Sequence, residues 1–318
     1  SSQVLAYIGN CQNAGGANGE YVDIITSPRS TGSILKPLLY AGMLETGELL
    51  PTALVPDIPT QMGSFAPENY TRTYEGAVPA YMALARSLNV PAVRLLNDYG
   101  VHRFHGLLEQ LGMSTLFRPA QDYGLALILG GAEGTLWELT SIYAGLAKSL
   151  LQYDKSIANA PFQMPRFLQE QSKSKERRNI LSPAACWLTV QAMLEVTRPA
   201  EDEVWRDYQS SQKIAWKTGT SYGFRDGWAI GLTPKYAVGV WVGNADGEGR
   251  PGLTGLATAA PILFDIFNSL ESSEWFDAPE LDLYDIDVCA KSGYRAGPFC
   301  EQIRKIGVPE AGLSFSAC

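Results

Sequence analysis

Ser33 and Lys36 stand three residues apart at the head of an apolar run, Ile34, Leu35, Leu38, Leu39 and Met43, whose spacing is helical. Residues i and i+3 share a helix face, so the Lys36 amine can reach the Ser33 hydroxyl. A serine hydroxyl becomes a nucleophile when a base takes its proton. A lysine buried among apolar side chains sheds its own proton near neutral pH and can serve as that base. The start of a helix adds the positive end of the dipole, which favours a developing oxyanion. Histidine-based serine chemistry has little material here. His102 and His105 are the only histidines, they read as part of a surface helix, and there is no G-x-S-x-G turn.

The S-x-x-K pattern occurs twice more, at Ser172 and Ser210. Ser172 sits among Lys173, Lys175 and Glu176 in a charged stretch, 168–179, where nothing lowers an amine pKa. Ser210 precedes a strand, where positions i and i+3 point to opposite faces. Only Ser33 combines helical context with apolar cover. A second candidate is Ser87-Leu88-Asn89, the only S-x-N in the chain. It falls in a break between helices, because Pro91 keeps Val90 out of the α region. Its hydroxyl can relay a proton and its amide can hold a substrate carbonyl, although a turn satisfying its own backbone would also favour Ser and Asn. Third is Lys217-Thr218-Gly219-Thr220, at the end of a strand. A strand edge can bind an extended peptide by main-chain pairing. Gly219 permits close approach, Lys217 attracts a carboxylate, and Thr218 and Thr220 can bond it. Lys291-Ser292-Gly293 repeats this pattern, but with no strand expected before it.

The elements that must position these residues are legible in outline. Gln3–Ile8 reads as a strand, followed by a Gly/Asn-rich loop at 13–19. Residues 46–78 read as irregular, Pro79–Arg86 as a helix, and Pro91 as the opening of another. Thr135-Leu-Trp-Glu138 reads as a capping box leading the stripe Leu136, Leu139, Tyr143, Leu146. Three strands follow, at 213–217, 227–232 and 236–243. In the last, Tyr236, Val238, Val240 and Val242 share one face. Gly239 and Gly243 mark the other for close approach by a helix, for which 259–270 is the candidate. This order gives an α+β fold: an antiparallel sheet of about five strands covered by helices on both faces, with an all-helical subdomain. A composition shift places a boundary near residue 275, giving a main domain at 1–275 and a cysteine-containing tail at 276–318 that reads as irregular.

The chain has 318 residues, 46% of them hydrophobic, enough for one large buried core with a small appendage. Its net charge of -8 argues against a nucleic-acid partner. No run approaches the ~20 apolar residues of a membrane helix. The first residues already read as a strand, so a missing targeting segment says nothing about location. Of the five cysteines, Cys11, Cys186, Cys289, Cys300 and Cys318, three fall in the last thirty positions. With no C-x-x-C and both histidines distant, one tail disulfide in an exported protein is preferred over a zinc cluster or five reduced packing residues. No cofactor or metal site is expected.

Taken together, S-x-x-K, S-x-N and K-T-G, in that order, resemble the penicillin-interacting serine enzymes. Three longer segments carry the likeness further. Ser27-Pro-Arg-Ser-Thr-Gly-Ser33-Ile-Leu-Lys-Pro37, Arg86-Ser-Leu-Asn-Val-Pro-Ala-Val-Arg94 and Trp216-Lys-Thr-Gly-Thr-Ser-Tyr-Gly-Phe-Arg-Asp-Gly-Trp228 are similar to the transpeptidase part of class A bifunctional peptidoglycan synthases, most of all the penicillin-binding protein 1C type. The tail from Val288 to Cys300 is similar to the segment that follows the transpeptidase there. The resemblance implies a penicillin-binding/β-lactamase-like fold and a D,D-transpeptidase. Ser33 would be acylated by stem peptides ending in D-Ala-D-Ala, or by β-lactams. Lys36 would act as base and Ser87 as relay, and Asn89 would bind the substrate amide. Lys217, Thr218 and Thr220 would hold the carboxylate, and the N–H groups of Ser33 and Thr220 would form the oxyanion hole. It also implies an upstream glycosyltransferase domain and membrane anchor outside this chain, and a place at the periplasmic face of the bacterial inner membrane. A D,D-carboxypeptidase and a weakly catalytic muropeptide- or β-lactam-binding module are the alternatives. A β-lactamase lacks support, since no E-x-x-L-N segment is present. Cys289 and Cys300 are expected to form a disulfide.

Overall fold

The computed structural model describes residues 3–11, 21–152, 161–162, 180–198 and 212–318. The loop expected at 13–19, the charged stretch 168–179 and both spare S-x-x-K serines, Ser172 and Ser210, lie outside them.

Three strands form the central antiparallel sheet: β5 (Ala215–Thr220), β6 (Asp226–Leu232) and β7 (Ala237–Gly243). Their pairing follows period-2 patterning. Ala215, Trp228, Ile230 and Leu232 face a core built by α1 (Lys36–Glu45), α6 (Leu136–Leu151) and α7 (Pro183–Leu194). Trp216, Ala229 and Val240 face α8 (Ala260–Ser269). Helices thus cover both faces, as the sequence implied. Helix α1 is buried along nearly its whole length, as expected of a helix that is apolar on every side.

Several sequence expectations need correction. The sheet has three strands among the described residues, not about five. Gln3–Ile8 is not a sheet strand. Leu5 and Ile8 remain exposed, and the segment is tied to its neighbour by Tyr7 to Asp23 and by the Ile24 N–H to the Gly9 carbonyl. Beyond a single bridge at Gln3 it joins no sheet among the described residues. The helix against the glycine face of β7 is α6: a Cβ on Gly239 would lie 2.0 Å from Thr140 Oγ1. Helix α8, entered through a π-turn at Gly255–Ala259, covers the valine face instead. The Thr135 capping box is only half made. Thr135 Oγ1 accepts the Glu138 N–H, but the Glu138 carboxylate turns away to Ser114 and Thr115. Finally, the tail is not irregular. Strands β8 (Tyr284–Cys289) and β9 (Ile303–Val308) form a hairpin there.

The helical side is built from α2 (Ala80–Ala85), α3 (Asn89–Tyr99), α4 (Val101–Leu111) and α5 (Ala120–Tyr123). Within the stretch read as irregular, β2 (Leu54–Asp57) and β3 (Gly76–Pro79) pair as a short ribbon. Outside it, β1 (Arg29–Ser30) pairs with β4 (Glu133–Gly134).

Candidate active site

Ser33 lies in a tight turn ahead of α1. The Ile34 N–H bonds the Thr31 carbonyl at 3.1 Å and the Lys36 N–H bonds the Ser33 carbonyl at 3.3 Å. Such i→i+3 bonding eclipses side chains three apart, so Ser33 and Lys36 project from the same side. The turn is clamped to the sheet. Trp228 Nε1 donates to the Ser30 carbonyl at 2.8 Å, and Ser30 Oγ donates to the Gly130 carbonyl at 2.7 Å. Gly32 has φ +52°, and a Cβ there would sit 2.7 Å from the Thr220 backbone nitrogen. Only glycine lets the Ser33 turn and the end of β5 approach this closely. Gly219 is crowded in the same way, with its would-be Cβ 2.7 Å from the Thr31 carbonyl oxygen.

Four of the proposed site side chains converge directly. Lys36 Nζ donates to the Ser87 carbonyl and to Asn89 Oδ1, each at 2.7 Å, with the Leu88 carbonyl at 3.3 Å and Ser87 Oγ at 3.5 Å. Lys217 Nζ donates to Ser87 Oγ at 2.7 Å and to the Thr218 carbonyl at 2.8 Å. Both lysines are buried, and neither forms an ion pair with a carboxylate among the described residues. Burial therefore pushes both amines toward the neutral form. Lys36 is held well below the ordinary lysine range by desolvation and then by the Lys217 charge. Lys217 is lowered by desolvation to about 7.

The expected hydrogen bond from Lys36 to Ser33 is not made in this structure, because Ser87 and Asn89 capture the amine. That capture orients it. A neutral amine has two N–H donors and one lone pair, and the two shortest bonds use both donors. The lone pair is left outside these two bonds.

Lys217 and the two threonines divide their work between the two faces of β5. The Ser221 N–H bonds the Asp226 carbonyl, so odd-numbered positions pair with β6 and the N–H and C=O groups of Thr218 and Thr220 point to the other edge. Thr220 Oγ1 accepts the Gly255 N–H at 3.0 Å and keeps its own proton to donate. Lys217 projects to the opposite face, toward Ser87. The Lys291-Ser292-Gly293 copy does follow a strand, β8, contrary to expectation. It remains outside the site: the Ser292 carbonyl accepts the Leu54 N–H and the Gly293 carbonyl accepts Thr52 Oγ1.

The geometry also reveals a positioning residue that the motifs did not contain. Asn69 is buried, and its Oδ1 accepts the N–H groups of Asn89 at 2.9 Å and Val90 at 3.1 Å, capping α3 from twenty residues away. Its Nδ2 donates to buried Asp57 at 2.7 Å. No sequence signal marks this, since the cap is remote rather than local. Asn69→Ala should destabilise the fold by about 2–3 kcal/mol, the cost of several buried groups losing partners. Urea unfolding checks this; a loss under about 0.5 kcal/mol would remove the role.

Ser87 has φ +56°. It occupies the left-handed position of a Schellman motif that ends α2, in which its N–H bonds the Leu84 carbonyl and the Leu88 N–H bonds the Ala83 carbonyl. Glycine is the usual residue there, so serine is retained at a cost to the fold of about 1 kcal/mol. Ser87→Gly should thus be about 1 kcal/mol more stable than Ser87→Ala, although both lose the hydroxyl. Equal unfolding midpoints for the two would contradict the strain.

With this geometry in place, comparison with known proteins is informative. Residues 1–268 match the family model described as the penicillin-binding protein transpeptidase domain. Penicillin-binding protein 1C of Escherichia coli (strain K12) is 33% identical over 276 residues, covering 85% of this chain and 33% of that protein. The chain therefore spans about a third of the length of that relative. Among solved structures, penicillin-binding protein 1A from Haemophilus influenzae superposes with a TM-score of 0.69 at 17% identity, covering 91% of this chain and 49% of that one. The PonA1 protein from Mycobacterium tuberculosis in complex with penicillin V gives 0.64 at 21% identity, covering 80% and 73%. A serine turn, a strained Ser-x-Asn break and a Lys-Thr-Gly strand thus come together in a fold shared with these proteins, and the chain belongs to the penicillin-binding protein transpeptidase family.

Proposed function

We propose that this chain is a D,D-transpeptidase acting through an acyl-Ser33 intermediate. The observation that carries the reading is the convergence on Ser87 of two buried, carboxylate-free lysines, one of which, Lys36, lies one turn after Ser33. In the proposed reaction the Lys36 lone pair takes the Ser33 Oγ proton as the oxygen attacks the carbonyl of the penultimate D-alanine. The N–H groups of Ser33 and Thr220 stabilise the oxyanion. The proton passes through Ser87 to the leaving amine, and the terminal D-alanine departs. An amine of a neighbouring stem peptide then attacks the ester, frees Ser33 and forms the cross-link. Asn89 keeps one amide N–H for the substrate, the other donating to the Glu68 carbonyl at 2.9 Å. The hydroxyls of Thr218 and Thr220 hold the substrate carboxylate, with Lys217 acting through its charge rather than by contact. β-Lactams acylate Ser33 as mimics of the same dipeptide.

The resemblance to class A enzymes supports a location at the periplasmic face of the inner membrane, in a protein with an upstream glycosyltransferase domain and an anchor. Among the described residues no helix is long and apolar enough to cross a membrane. The test is incubation with a synthetic D-Ala-D-Ala peptide and a labelled D-amino acid. Release of D-alanine together with labelled exchange product is expected. Hydrolysis without exchange would overturn transpeptidation in favour of a carboxypeptidase, and no turnover would favour a binding module.

A further inference from the structure

The sulfur atoms of Cys289, Cys300 and Cys318 all lie within 4.8 Å of one another. The expected Cys289–Cys300 disulfide is not formed, and the closest pair is Cys300 and Cys318, at 2.7 Å. A single disulfide would leave the third thiol over. That thiol would be Cys289 if the closest pair joined, yet all three sulfurs stand together in one cluster. The Cys300 sulfur accepts the Gly297 N–H at 3.3 Å.

The three cysteines also sit where a staple is needed. Cys289 ends β8, Cys300 precedes β9, and the Cys318 N–H bonds the Arg295 carbonyl at 3.0 Å. The core beneath them is small: Ile286, Val288 and Val308 packed on Leu50 and Ala53. So few apolar side chains seldom hold a unit of this size without a cross-link or a metal.

We propose that Cys289, Cys300 and Cys318 form a zinc site that staples the 276–318 segment. Zinc takes thiolates at about 2.3 Å in tetrahedral geometry, which sets sulfurs about 3.8 Å apart. Cys300 and Cys318 must therefore part by about 1 Å, while the three-sulfur cluster as a whole is already of the right size. The fourth position is left to water or another donor. As each sulfur–zinc bond forms, the thiol proton passes to solvent.

The test uses the chain without a histidine tag, purified under reducing conditions, supplied with zinc and dialysed against metal-free buffer. About one zinc per chain is expected. It should be lost in Cys300→Ser and Cys318→Ser and kept in Cys11→Ser. Should a serine variant fail to fold, alkylation of the unmodified chain gives an independent reading: Cys289, Cys300 and Cys318 are protected when zinc is bound and react after chelation. No bound zinc overturns the proposal, whether the thiols are then free or disulfide-bonded. Zinc retained by both serine variants, or equal alkylation in the two states, overturns it as well.

Discussion

Replacing Lys36 by methionine is expected to slow β-lactam acylation by about 10³-fold, the scale of a lost general base. The thermal midpoint should nevertheless stay within about 2 °C of the parent, the shift that 1 kcal/mol produces in a chain of this size. The two effects separate for a physical reason. Burial holds the Lys36 amine far from its preferred charged state, and a methionine of similar length removes that penalty. Against this, the Ser87 carbonyl and Asn89 Oδ1 lose a donor, each worth about 1 kcal/mol. The opposing terms leave stability little changed, while the amine assigned as base is removed. Stopped-flow acylation and a thermal melt on the same sample check this. Acylation within tenfold of the parent would show that Lys36 is not the base.

Lys217 predicts a dependence of stability on pH. Its folded pKa is lowered to about 7, against an unfolded value near 10.4. Between these values the unfolded chain holds a proton that the folded chain lacks, so this group makes stability rise with pH across the window. Below about pH 7 both states are protonated and its contribution is flat. The full span is on the order of 4 kcal/mol for a buried group. Subtracting the Lys217→Met curve from that of the parent isolates it. The difference should favour the parent increasingly from pH 7 to 10, whatever the absolute loss from freeing Ser87 Oγ. A difference that stays level across this range would contradict the buried, uncompensated amine.

The motifs and their contexts could be read from the sequence because each rests on a local rule. The break between α2 and α3 was foreseen, but Pro91 does not make it: Val90 is helical and Pro91 sits in the first turn of α3, so the break lies at Ser87 and Leu88. Helical spacing singled out Ser33 from the other two S-x-x-K serines. The valine face of β7 followed from alternation. What escaped was long-range. Asn69 caps α3 across twenty residues, and no local pattern encodes a remote cap. The sequence favoured 259–270 over α6 as the partner of Gly239, since adjacency in sequence is a poor guide to which face of a sheet a helix covers. The Gln3–Ile8 alternation read as a strand, but a strand needs a partner edge that periodicity does not supply. The tail read as irregular because Tyr284–Cys289 mixes acidic and apolar residues on a hairpin with one exposed face. Lys217 was expected to hold a carboxylate at the strand edge, yet its position on the opposite face from Thr218 and Thr220 turns it toward Ser87.

The central claim is that Ser33 is the acylated nucleophile. It is tested most directly by intact-mass analysis of the chain after exposure to a panel of β-lactams, followed by peptide mapping. The account predicts a mass gain of one opened β-lactam per chain, located on the peptide containing Ser33 and absent from Ser33→Ala. No adduct with any member of the panel, or an adduct that persists in Ser33→Ala, would contradict it.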